Sequence, residues 1–180
     1  LDGDEGFAEV FFDEAFVPDD AVLGGVGNGW RVAMATTSSE RGLTLRSPGR
    51  FQATVARLIE RYRSALAAGE PIDPSVRHKI AQRWIEAEAY QHYTLADVTA
   101  LIDGHAAGAA SSLNKVWWSE LDVAIHNTAL DLLGPRAELA AGDDAAWIKG
   151  YQFALSGPIY AGTNEIQRNI LGERVLGLAK

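Results

Sequence analysis

From residue 30 onward the apolar positions recur at the spacing of a single helix face. Phe51, Val55, Leu58, Ile59, Tyr62 and Leu66 form one such series. Val76, Ile80, Trp84, Ala87 and Leu95 form a second, and Leu113, Val116, Trp117, Leu121, Ile125, Thr128 and Leu132 a third. Each predicts an amphipathic helix. Gly69-Glu70-Pro71-Ile72 breaks the first. Asp73-Pro74 opens the second, with Asp able to cap and Pro tolerated where its missing N–H costs nothing. Gly134-Pro135 closes the third, a shorter helix is expected around Ala145 to Leu155, and Ser156-Gly157-Pro158 stops it. A last helix is expected from near Thr163 to about Leu176.

The first residues differ. Phe7 to Val17 is dense in β-formers and ends at Pro18, which predicts a strand. Asp19-Asp20 and the glycine-rich run Gly24 to Gly29 predict a loop. The expected fold is therefore all-α: an antiparallel helical bundle over residues 27–180, preceded over residues 1–26 by a short β remnant and linker.

Length and composition narrow the function. The chain has 180 residues, enough for one domain, and 47% are hydrophobic, so a sizeable core is available. A formal charge of −8 argues against non-specific nucleic-acid binding. There is no cysteine, hence no disulfide, thiolate nucleophile or thiolate metal site, and a reducing compartment fits. No apolar run approaches the roughly 20 residues of a membrane span, and no targeting peptide is visible. The chain begins at Leu1, so a fragment or processed product is expected. His78, His92, His105 and His126 show no paired metal-ligand spacing, and the tryptophans sit among apolar positions as core or interface residues.

The segment richest in chemistry is Gly157 to Ile170. A turn of small residues leads into a helix that Thr163 can cap and whose positive end suits Glu165. Gly162 can take backbone angles closed to other residues. On physics alone this is an ordinary capped helix, or a place where free N–H groups meet an anion or a carbonyl oxygen.

The segment Ile159-Tyr160-Ala161-Gly162-Thr163-Asn164-Glu165-Ile166-Gln167-Arg168 resembles the C-terminal signature of acyl-CoA dehydrogenases. The ending Gly172-Glu173-Arg174-Val175-Leu176-Gly177-Leu178 is similar to the family's ending. Phe11-Phe12-Asp13-Glu14, Val17-Pro18, Leu23-Gly24 and Gly27-Asn28-Gly29-Trp30 resemble its passage from a central β-domain into C-terminal helices. The resemblance implies an FAD enzyme that removes hydrogens from Cα and Cβ of an acyl-CoA thioester. The α-proton goes to a carboxylate and a hydride to the flavin. It further implies an electron-transfer flavoprotein as acceptor, an oligomer, and a cytoplasmic bacterial protein of which this piece alone is inactive and colourless.

Residue by residue, the resemblance implies the following. Many members carry the catalytic Glu directly after the signature Tyr, where this chain has Ala161. Others carry it before a recurrent Arg on the first C-terminal helix, which here is Glu40-Arg41. Glu40 is thus the candidate base and Arg41 its support. The Ala161 backbone N–H would donate to the thioester oxygen, and Gly162, Thr163 and Glu165 would contact FAD. The family's Arg-x-x-Phe-Gly and Gln-x-x-Gly-Gly elements, which reach a neighbour's FAD, are replaced by Glu60 to Leu66 and by Ala129 to Pro135. Asp131 would repel a diphosphate and Pro135 removes a donor. A heteromer with a related subunit is therefore expected, as in steroid side-chain-degrading members. The alternatives are a homo-oligomer with different diphosphate contacts, a non-catalytic structural subunit that completes a partner's FAD site, and an unrelated helical interaction module.

Overall fold

The computed structural model describes residue 6 and residues 8–39, 47–105, 111–139 and 142–179. The chain is all-α. Its helices are α1 (Gly29–Ser39), α2 (Pro48–Ala67), α3 (Ser75–Ile102), α4 (Ser111–Leu133), α5 (Ala145–Ala154) and α6 (Asn164–Ile170), with a π-turn at Leu171–Val175 extending the last. Short 3-10 turns lie at Asp19–Ala21, Gly134–Leu139 and Gly142–Asp144.

The helices start and stop where the side chains require. Pro48 opens α2 at a position that needs no N–H. Asp73 Oδ1 accepts from the Ser75 N–H at 2.8 Å, so the aspartate does cap the entry to α3. Gly69 ends α2 in the left-handed region, with the Glu70 N–H donating back to Ala65 O and the Gly69 N–H to Leu66 O. That pairing satisfies carbonyls the helix end leaves open.

The packing is antiparallel. Near the start of α2, Gln52 donates to Glu88 at the middle of α3 and to Gln91 just beyond it. Lys79 near the start of α3 meets Asp131 near the end of α4, while Tyr90 reaches Asn114 at the start of α4. Helix α4 is central and packs on α2, α3, α5 and α6. Phe51, Val55 and Leu58 from α2, Ile80, Ala87 and Tyr90 from α3, and Leu121, Ile125 and Leu132 from α4 form one buried cluster. Each such large side chain contributes about 1.5–3 kcal/mol by leaving water. Helix α5 comes close to α4 at Gly150, where a Cβ would stand 2.4 Å from His126 Nε2.

Residues 8–18 form no strand ladder, which corrects the expected β remnant. Val10, Phe11, Phe12 and Phe16 lie exposed. β-forming side chains favour extended backbone, but a strand also needs a second backbone to pair with. The described residues supply none.

Candidate functional site

Between α5 and α6 the chain makes a tight turn that places backbone groups at the surface of the bundle. The Ile159 and Tyr160 N–H groups both donate to Ser156 O, at 3.0 and 3.1 Å, and the Asn164 N–H closes the turn on Pro158 O at 2.9 Å. Ala161 sits at φ 55, a left-handed conformation uncommon for a residue with a Cβ. Holding a non-glycine residue there costs about 1 kcal/mol, so the surrounding structure must impose it. Among the described residues no acceptor meets the Ala161 N–H. Gly162 follows at φ +87, and a Cβ there would come within 2.5 Å of Gln167 Nε2. Position 162 therefore requires glycine both for its backbone and for the approach of Gln167.

Thr163 is the N-cap of α6, and its hydroxyl accepts from the Ile166 N–H at 3.4 Å. Glu165 is exposed in the first turn. Its own backbone N–H first, and then the Thr163 hydroxyl, hold its carboxyl below the usual range. The four signature residues from Ala161 to Glu165 named from the sequence thus fall together at one corner. Glu40 and Arg41 lie outside the described residues.

The floor under this corner is polar, and sequence reasoning passed over it. Asn164 and Gln167 share the inner face of α6, and both are buried. Lys115, 1% exposed, donates from Nζ to Asn164 Oδ1 at 2.7 Å. Ser119 Oγ is 3.1 Å from the same oxygen and 3.0 Å from Val116 O, so its one proton has two acceptors. Asn164 Nδ2 donates to Glu120 Oε1 at 3.2 Å, and Glu120 also takes Arg168. Gln167 Nε2 donates to Ala161 O at 3.4 Å. Lys115 lies over the Trp118 ring, which also packs against Tyr160 at 5.8 Å. Burial pushes the Lys115 ammonium below the ordinary lysine value. No local signal marked Lys115: helical spacing sets it off the apolar series of Leu113, Val116, Trp117 and Leu121, where a charged residue is ordinarily exposed.

Away from the corner, the charged groups singled out in the sequence have partners. Asp131 pairs with Lys79 at 2.8 Å. Arg61 holds the Asp144 carboxylate through two bonds, at 2.9 and 3.2 Å, and also meets Glu70. Asp144, at the N-cap of α5, caps nothing with its side chain and takes this arginine instead. His126 is buried, with Nδ1 donating to Asp122 O at 2.9 Å. Asp122 in turn binds Arg50 at 2.9 Å. Trp118 and Trp147 are buried as expected, whereas Trp84 is half exposed. Among the described residues no group of His, Asp and Glu could hold a metal ion, and no helix is long and apolar enough to cross a membrane.

Comparison with known proteins agrees with this anatomy. The family model for the acyl-CoA dehydrogenase C-terminal domain matches residues 27–176. Acyl-CoA dehydrogenase IpdE1 of Mycobacterium tuberculosis is 35% identical over 184 residues, covering all of this chain and 46% of that protein. The chain therefore spans less than half the length of this curated relative. Two solved structures share the fold. An FAD complex of PigA superposes with a TM-score of 0.73 at 22% identity, over 93% of this chain and 43% of that one. The Tcur3481-Tcur3483 steroid ACAD superposes with a TM-score of 0.73 at 19% identity, over 91% of this chain and 44% of that one.

Proposed function

The chain belongs to the acyl-CoA dehydrogenase family, and on that premise we propose that it forms the thioester side of an α,β-dehydrogenation site in a larger FAD-dependent protein. One observation carries the reading: the Ala161 N–H, held in a left-handed turn and meeting no acceptor among the described residues. Charge develops on the thioester oxygen as the α-proton leaves. A preorganised donor aimed at that oxygen stabilises the transition state more than the ground state.

The residues present fit the uncharged parts of FAD. Thr163 offers a hydroxyl, Glu165 an ionised carboxylate that suits donor hydroxyls and disfavours phosphate, and Gly162 no side chain at all. When bound, FAD supplies the acceptor for the hydride from Cβ. Glu40 takes the α-proton, so one proton and one hydride leave as the C=C bond forms. Arg41 supports Glu40, and an electron-transfer flavoprotein takes the electrons onward.

The diphosphate end of a neighbour's FAD finds little here. Asp131 is already an ion-pair acceptor, and Arg61 is bound to two carboxylates. This favours assembly with a related, unlike subunit. A non-catalytic subunit that only shapes a partner's site is the second reading, favoured by the alanine where a base could stand. The two separate in full-length protein, expressed alone and with its closest paralogue. FAD bound only in the co-expressed pair supports the heteromer; one FAD per chain in the protein alone overturns it. In the flavinated protein, Glu40→Gln with flavin retained lowers turnover by on the order of 100-fold or more if Glu40 is the base. Unchanged turnover assigns the chain to scaffolding.

A further inference from the structure

We propose that Lys115, on α4, is a positioning residue for the Ala161 N–H, acting through Asn164. The proposal rests on the reading of Ala161 as the thioester donor, but its structural half can be tested without it.

A lysine this deep in a bundle is costly for stability, because its ammonium leaves water. Among the described residues no carboxylate forms an ion pair with it; Asn164 is its one hydrogen-bond partner, at 2.7 Å. A core selected for stability alone would place methionine or leucine there, since apolar replacements of buried ions are often neutral or stabilising. The lysine is instead aimed at the first residue of α6, next to the cap Thr163.

Asn164 is held at both side-chain polar atoms and at its backbone N–H. Its side-chain oxygen takes Lys115, its side-chain nitrogen donates to Glu120, and its backbone N–H closes the turn on Pro158 O. Those bonds join the rigid central helix to both ends of the segment 158–164. Ala161 lies in the middle of that segment in a conformation that it does not adopt unaided. From the other side, Gln167 donates to Ala161 O, and the missing Cβ of Gly162 makes room for it. The left-handed turn is thus fastened at one side by Gln167 and along its base by Asn164. The Asn164 fastening reaches across to α4 through two charge-assisted bonds, from the Lys115 ammonium and to the Glu120 carboxylate.

The test is Lys115→Met in the full-length protein, with Ser119→Ala as control because Ser119 has a second acceptor in Val116 O. Hydrogen exchange over residues 157–165 should accelerate about tenfold or more in Lys115→Met, as expected for loss of a charge-assisted bond, while the rest of the bundle keeps its protection. The melting temperature should stay level or rise. In flavinated protein, the limiting rate of flavin reduction by acyl-CoA should fall by a similar factor with little change in half-saturation, and Ser119→Ala should match wild type. Unchanged exchange at 157–165 overturns the proposal. So does a lowered melting temperature with exchange raised throughout, which would make the lysine a general core residue. If wild-type flavin is not reduced by any acyl-CoA, the functional reading of Ala161 fails, and the exchange result still decides whether Lys115 holds the turn.

Discussion

The two ends of α4 are buried to a similar degree, the first largely through polar groups and the second mainly through apolar ones, with Asp122, His126 and Thr128 as its polar members. Leu121, Ile125, Ala129, Leu132 and Leu133 join residues of α2 and α3 and Trp147 of α5 in one apolar cluster. Asn114, Lys115 and Ser119, earlier on the same helix, are equally inaccessible but meet their neighbours through hydrogen bonds. The apolar end is what an amphipathic helix does by default: it removes carbon from water, and many similar residues would serve. The polar end is specific. Tyr90 bonds Asn114, Asn114 bonds Thr94, and Lys115 and Ser119 reach Asn164. Stability comes mainly from the first region, and the geometry of the signature turn from the second. A buried polar network is worth its desolvation only where a particular arrangement has to be kept.

The sharpest way to break this contrast is to hollow the apolar end. Ile125→Ala, at a side chain with no exposure, should cost about 2–5 kcal/mol in denaturant unfolding. Exchange in the turn at 157–165 should rise only as far as global unfolding dictates. A local loss of protection there would mean that the two ends are not independent. Next in size, Tyr90→Phe removes one bond to Asn114 but keeps the edge-on contact with Phe51, so about 1 kcal/mol should be lost. A loss as large as that of Ile125→Ala would show that the polar end also carries the core.

Thr163→Ala should be milder, about 0.5 kcal/mol, because the cap bond to Ile166 is long at 3.4 Å. It should also release Glu165 towards its ordinary pKa, since the Thr163 hydroxyl is one of the groups that lower it. The carboxyl titration followed by NMR reads this directly. The smallest effect is one of pH. Burial lowers the Lys115 pKa in the folded chain, so between that value and 10.5 the unfolded chain holds more protons. Stability of the wild type should therefore rise with pH through that window relative to Lys115→Met. A parallel pH dependence of the two proteins would remove the buried-ammonium account.

Helix positions and their stops were legible because they depend on local chemistry. The apolar spacing around Phe51, Ile80 and Ile125, the aspartate and proline before α3, and the cap at Thr163 all act within a few residues. The cluster from Ala161 to Glu165 was legible for the same reason, as one contiguous segment. Residues 8–18 read as strand from side-chain preference, yet pairing is a property of two segments, and the described residues offer no second one. Arg61, inside the stretch that replaces the Arg-x-x-Phe-Gly element, and Asp144 are far apart in sequence; the fold turned them towards each other.

Lys115 and Asn164 are 49 positions apart, and no periodicity relates them. The sequence by itself determined the helices, the break points and the small-residue turn, because each follows from backbone preference and hydrophobic spacing over short range. Only the tertiary structure decided that a lysine off the apolar series would be sealed under that turn, and that the Ala161 N–H would meet no acceptor among the described residues. Which polar groups meet inside depends on how helices distant in sequence cross, and hydrogen bonds specify partners where hydrophobic burial specifies only a side.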